Sequence, residues 1–171
     1  MIRRANNNDI EAIMSIISDA QASLRELGID QWQDGYPTAE IIMRDIESKV
    51  GYVYVEENTV AGYAAIVLTG EIAYKQIPNN IWATGEDYVV VHRLCVSKGY
   101  TRNGIALSLM RKAKELAIEA GYSGFRIDTH RGNVRMLSMM DRLGFEYRGI
   151  IHYESGERLA YDLKLNNSLA L

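Results

Sequence analysis

Between Leu94 and Ala106 the chain changes character within a few residues, and this stretch limits the fold most. An apolar run ends in Leu94-Cys95-Val96. A polar turn follows, Ser97-Lys98-Gly99-Tyr100-Thr101-Arg102-Asn103, and Gly104 then heads a long amphipathic pattern. The layout predicts a β-strand, a short turn and a helix. The first N–H groups of a helix have no partner inside it and carry partial positive charge, so such a junction suits a phosphate or another anion. Gly104 allows close approach to the backbone, and Ala106 adds little bulk. Lys98 and Arg102 add formal charge. Two readings stand here, a pyrophosphate cradle and an ordinary strand-turn-helix connection that contains a glycine; short glycine motifs do not separate them.

The order of elements narrows the choice of fold. Ile2-Arg3-Arg4 reads as a strand. Asn8 is expected to cap a helix carrying Ile10, Ile13, Met14, Ile17, Ala20, Leu24 and Leu27 at helical spacing, which Gly28 would end. A loop to Pro37 holds Gln31, Trp32 and Tyr36, and Thr38 can cap a second helix reaching about Lys49. Val50 to Glu56 and Thr59 to Thr69 are β-rich around Glu57-Asn58, a hairpin pattern. Residues 70–86 mix glycine, proline and asparagine with Ile72, Ile77, Ile81 and Trp82, and read as a long connection with some structure of its own. Connections of that length are often functional. Asp87 to Val96 is a strand whose Val89-Val90-Val91 run suggests burial on both faces. A helix follows from Gly104 to about Ala120, then a strand Phe125 to Thr129 and a helix from Asn133 to Arg142. A closing hairpin, Glu146 to Tyr153 and Arg158 to Leu165, turns around Glu154-Ser155-Gly156-Glu157. The 171 residues read as one domain over 1–165 and a loose tail over 166–171.

Composition removes several classes of function. With 19 basic and 22 acidic side chains the net charge is −3, which disfavours a general nucleic-acid binder. The single cysteine, Cys95, precludes an internal disulfide and a cysteine-rich metal site. Its apolar strand setting favours a buried, inert thiol. The three histidines are dispersed, so no metal site is expected. No apolar run approaches the ~20 residues needed to span a bilayer. Arg3-Arg4 is followed by polar Ala5-Asn6-Asn7-Asn8-Asp9, without an apolar signal segment, so a cytoplasmic protein that binds neither membrane nor nucleic acid is expected.

The element order and two motifs resemble the GCN5-related N-acetyltransferase (GNAT) superfamily. The family's Gln/Arg-x-x-Gly-x-Gly/Ala motif is matched by Thr101, Arg102, Asn103, Gly104, Ile105 and Ala106. A second motif, an Asn at a helix start leading to Gly-Phe, is matched by Asn133-Val134-Arg135-Met136 and Asp141-Arg142-Leu143-Gly144-Phe145. The resemblance runs from Ile2 to Leu165. It implies an α+β, three-layer fold with a central mixed, mostly antiparallel sheet flanked by about four helices. It also implies acetyl-CoA as acyl donor, no metal, and acetyl transfer to a primary amine of a small molecule or peptide by direct attack on the thioester. The backbone of Leu94, Cys95 and Val96 would meet the pantetheine arm. The amides from Thr101, Arg102, Asn103, Gly104, Ile105, Ala106 and Leu107 would hold the pyrophosphate, and Asn133 would meet the CoA arm or cap its helix. Dimers are common in the family.

This sequence departs from the family pattern at two positions. Thr101 replaces the usual Gln or Arg, leaving Arg102 as the nearest charge. Met140, four residues before Gly144, stands where many members carry the tyrosine that protonates the departing thiolate, and Met has no proton to give. A non-catalytic CoA-binding domain is therefore the alternative. Tyr153 is a substitute acid, with a core tyrosine as the plainer role. An alkyl amine has a pKa near ~10.4, so it must lose a proton before or during attack. His92 is the candidate base or relay; strand alternation would set Val90, His92 and Leu94 on one face. A structural histidine is the other reading. Acceptor contacts are expected from Gln31, Trp32 and Tyr36, and from Asp128 and His130 at the end of a strand.

Overall fold

A computed structural model describes residues 1–166; the tail expected over 166–171 lies, but for its first residue, outside the described residues. The chain forms two compact units. The first joins Met1–Ile66 to Val91–Lys112, and the second joins Val67–Val90 to the chain from Ala113 onward.

In the first unit, strand β1 (Ile2–Arg4) leads through a short 3-10 turn at Asn7–Asp9 into helix α1 (Ile10–Glu26). The cap is Asn6 and not Asn8. The Asn6 side chain accepts the Asn8 amide while Asp9 accepts the Asn6 amide, so the inserted turn moves the cap two residues upstream. Gly28 follows α1 with φ at +71°, the left-handed stop its position predicts. Helix α2 is Ala39–Glu47, where Thr38 occupies the cap position without a side-chain cap bond. Strands β2 (Gly51–Glu56) and β3 (Thr59–Val67) pair antiparallel across Glu57-Asn58, whose φ angles of 44° and 66° give the turn that matches strand twist. Strand β4 (Tyr88–Val96) contributes its second half here.

Helices and strands of this unit bury Ile13, Ile16, Ile17, Ile42, Val53, Tyr63 and Cys95 together. One ion pair sits beside that core. Arg93 of β4 forks onto Asp45 of α2 with contacts of 2.8 and 2.7 Å, and Tyr63 donates to the same carboxylate at 2.6 Å. Arg93 also donates to the Tyr36 hydroxyl at 2.8 Å. Its φ of +55° breaks the regular pleat, so simple alternation does not run through His92 to Leu94 as expected.

The second unit is built on the first half of β4. Its residues Tyr88–Val90 pair parallel with Gly124–Arg126 of strand β5 (Gly124–Thr129). β5 pairs antiparallel with β7 (Gly156–Lys164), and β7 with β6 (Glu146–Tyr153), which has no further partner among the described residues. The turn between them is Glu154-Ser155 alone. Gly156 and Glu157 already belong to β7, because Gly156 adopts the φ of +105° that closes so tight a hairpin. Helix α3 (Ile105–Glu119) ends in this unit, and α4 (Val134–Arg142) starts at Asn133.

The 70–86 connection is anchored along its length. It forms a 3-10 turn at Ile72–Gln76, and Tyr74, Ile77 and Trp82 enter a core with Tyr88, Val90, Ile151 and Ala160. The Gln76 amide bonds both backbone groups of His152, each at 2.9 Å. Buried Asp162 accepts the Ala83 and Thr84 amides at 2.8 and 3.0 Å and the Arg148 guanidinium at 2.6 Å. The Arg126 guanidinium lies 4.2 Å from the Trp82 ring centre and 3.8 Å from that of Tyr88, and donates to the Thr84 and Gly85 carbonyls.

The side chains of Arg93 and Asp45 are 12% and 9% exposed, so removing either leaves a buried charge without its counter-ion. Asp45→Ala is expected to cost about 3–5 kcal/mol of folding free energy, read as a fall in the urea midpoint.

Candidate active site

The start of α3 has the form of an anion cradle. Arg102 and Gly104 both take left-handed φ, +69° and +74°, which turns successive amides toward one side. The first bond closing the helix runs from the Ser108 amide to the Gly104 carbonyl at 2.9 Å. The amides of Ile105, Ala106 and Leu107 therefore precede the helical ladder. Residues Thr101, Arg102, Asn103 and Gly104 are exposed, and a Cβ added at Gly104 would meet no atom within 4 Å. The surface around Gly104 is thus open.

Close packing sets the position of that helix start. Gly62 of β3 lies against it: a Cβ there would fall 2.6 Å from Ile105 Cγ2 and 3.3 Å from the Cys95 carbonyl oxygen. The Ser97 amide donates to the Ala61 carbonyl at 2.9 Å, which ties the end of β4 to β3. Leu94, Cys95 and Val96 lead into the cradle from β4. Burial pushes the Cys95 thiol up to about 12, so it is neutral and unreactive at neutral pH.

Also in the first unit, the loop carrying Gln31, Trp32 and Tyr36 is held from two sides. Gln21 donates to the Tyr36 carbonyl at 3.0 Å, and Arg93 donates to its hydroxyl. Trp32 packs on the first core. His92 is half-buried, next to Arg93 on β4.

The remaining candidates belong to the second unit. Asp128, at the end of β5, accepts the Tyr74 hydroxyl at 3.0 Å and the Tyr153 hydroxyl at 3.1 Å, both on Oδ2. Burial, then the charge of Asp128, pushes both phenols far above the ordinary tyrosine range. The His130 ring accepts the Gly132 amide at 3.0 Å through Nδ1. Asn133 caps α4, accepting the Met136 amide at 3.2 Å. Met140 is fully buried.

Sequence reasoning passed over Tyr74, Arg93 and Asp45. Arg93 carried a signal, since a charge inside an apolar strand must find a partner. Nothing local pointed to Asp45 across 48 positions. No group of His, Cys, Asp and Glu among the described residues could hold a metal ion. No helix among them is long and apolar enough to cross a membrane.

A mixed sheet flanked by four helices, with a glycine-opened helix after a parallel-paired strand, matches the acyl-CoA N-acyltransferase type of fold. The model of the acetyltransferase (GNAT) family matches residues 13–145, and the chain belongs to that family. It is similar to a GNAT acetyltransferase from Streptococcus agalactiae, with 33% identity over 98% of this chain and 96% of that one and a TM-score of 0.84. A Staphylococcus aureus structure described as a putative acetyltransferase shares the fold at 23% identity, covering 97% of this chain and 99% of that one, TM-score 0.76. A Listeria monocytogenes GNAT acetyltransferase does so at 23% identity over 96% and 94%, TM-score 0.73. No curated protein matches the chain in sequence. The fold class expected from the sequence is the one found.

Gly62→Ala is expected to lower stability by about 1–3 kcal/mol by overpacking against Ile105. Thermal melts check the effect.

Proposed function

We propose that the chain transfers an acetyl group from acetyl-CoA to a primary amine by direct attack on the thioester. The observation that carries this reading is the α3 start, where Arg102 and Gly104 are left-handed and exposed and the amide of Ser108 is the first to close the helix. CoA is a polyanion, and its diphosphate matches amides backed by a helix dipole. In this reading Thr101, Arg102, Asn103, Gly104, Ile105, Ala106 and Leu107 hold the diphosphate. The backbone of Leu94, Cys95 and Val96 meets the pantetheine arm.

The amine nitrogen attacks the thioester carbonyl carbon, and the carbon–sulfur bond breaks. A CoA thiol has a pKa near that of cysteine, about 8.5, so its thiolate is a tolerable leaving group without a dedicated acid. Buried Met140 cannot supply one. The sequence nominates His92 to take the proton of the amine. Acceptor contacts in the first unit are assigned to Gln31, Trp32 and Tyr36. The acceptor is a small-molecule or peptide amine.

A thiol-release assay with acetyl-CoA against alkylamines, amino acid amides, polyamines and peptide N-termini tests the reading. Release with at least one amine supports it; tight CoA binding with no release toward any of them would overturn it in favour of a binding domain. Gly104→Asp puts bulk and negative charge into the space facing the amides. It is expected to weaken CoA binding at least about tenfold by calorimetry, or ~1.4 kcal/mol, in a folded protein.

A further inference from the structure

The loop over residues 28–37 in the first unit is tied down by two kinds of bond. Those to α1 are local. Gln21 donates to the Tyr36 carbonyl at 3.0 Å, and the Gln33 side chain donates to the Gln21 carbonyl at 3.0 Å while accepting from Arg25 at 2.9 Å. The other kind reaches the sheet. Arg93 Nη1 on β4 donates to the Tyr36 hydroxyl at 2.8 Å, across 57 positions of sequence. Between these anchors the loop is open, with Asp34 and Gly35 exposed.

The guanidinium that makes the long-range bond is not free to turn. Asp45 takes its Nε and Nη2 at 2.8 and 2.7 Å, and Tyr63 donates to the same carboxylate at 2.6 Å. A planar fork held along one edge fixes the direction of its remaining nitrogen. Arginine carries donors only, so the Tyr36 oxygen is the acceptor of this bond. The phenol is thereby set at a fixed point relative to β4. Arg93 directly precedes Leu94, the first residue of the backbone assigned to the pantetheine arm. Trp32, whose ring centre lies 6.4 Å from that of Tyr36, packs on the core that contains Cys95.

Resting on the acetyl-transfer reading and its assignment of this loop to the acceptor, we propose that Arg93 is a positioning residue for the acceptor amine, holding the 28–37 loop against β4 through Tyr36. The contacts run from Tyr63 through Asp45 and Arg93 to Tyr36, all inside the first unit, and they join β3, α2 and β4 to the loop. Arg93 acts through Tyr36 and needs no contact with either substrate. A loop ordered in advance binds an acceptor without the entropy cost of ordering itself, so the bond serves acceptor affinity. Once a saturating amine has ordered a loosened loop, turnover proceeds much as before.

The test combines steady-state kinetics on the best amine from the panel with hydrogen exchange read by mass spectrometry. Tyr36→Phe removes one oxygen and leaves the Arg93–Asp45 fork in place. It is expected to raise the amine KM at least about fivefold, keep kcat within about twofold and leave CoA affinity by calorimetry unchanged. Amides of residues 28–37 should exchange faster, and those of β4 should not. Arg93→Lys keeps a charge beside Asp45, but one ammonium cannot reproduce the fork. It should show the same pattern, and the double variant should bind the amine no worse than Arg93→Lys alone. An unchanged KM in Tyr36→Phe overturns the positioning role. So does a raised KM without faster exchange in the loop, or effects that add in the double variant, since the hydroxyl then meets the acceptor itself. In each of these cases acetyl transfer stands. Should Arg93→Lys not fold, the exchange pattern and KM of Tyr36→Phe decide. A wild type that acetylates no amine overturns both proposals.

Discussion

A charge in the middle of a strand sets a condition that much of the first unit meets. Arg93 cannot sit among apolar neighbours alone, and Asp45 on α2 supplies the counter-charge at hydrogen-bond distance. That pairing fixes α2 against β4. It also recruits Tyr63 from β3 and Tyr36 from the loop after α1, so four segments meet at one guanidinium–carboxylate fork. The left-handed backbone at Arg93 lies two residues before Cys95, in the strand that runs into the cradle. The pair therefore bears on where the anion site begins as well as on stability.

The second unit depends on charges differently. Arg126 is 3% exposed and is held by two aromatic faces and backbone carbonyls. Asp162 gathers amides from the 70–86 connection. Both bind an irregular segment to regular strands. The 70–86 segment is thus held along its length, with Tyr74 fixed at the end of β5 by the carboxylate it donates to.

The elements that were legible in the sequence were those with local causes. The period of α1, the Glu57-Asn58 turn and the glycine before α3 each follow from neighbouring residues, and each appears where expected. Asn6 took the cap expected of Asn8 because Asp9 completes a reciprocal pair with it, a choice among adjacent asparagines that pattern alone does not rank. The run of alternation through His92 failed at one left-handed residue. The strand–turn–helix junction was readable because strand, turn and glycine are contiguous. Tyr74 and Tyr153 lie 54 and 25 positions from Asp128, and their common carboxylate is a property of the fold alone.

The Gln76 amide has a consequence for the sheet edge. An unpaired edge strand is a template on which another chain can add. Gln76 fills one donor and one acceptor of β6 at His152, as a neighbouring strand would. A foreign strand must first displace that side chain. The 70–86 segment thus covers part of the edge that β6 presents among the described residues. Remodelling 70–86 would therefore bare a sheet edge as well as change a loop.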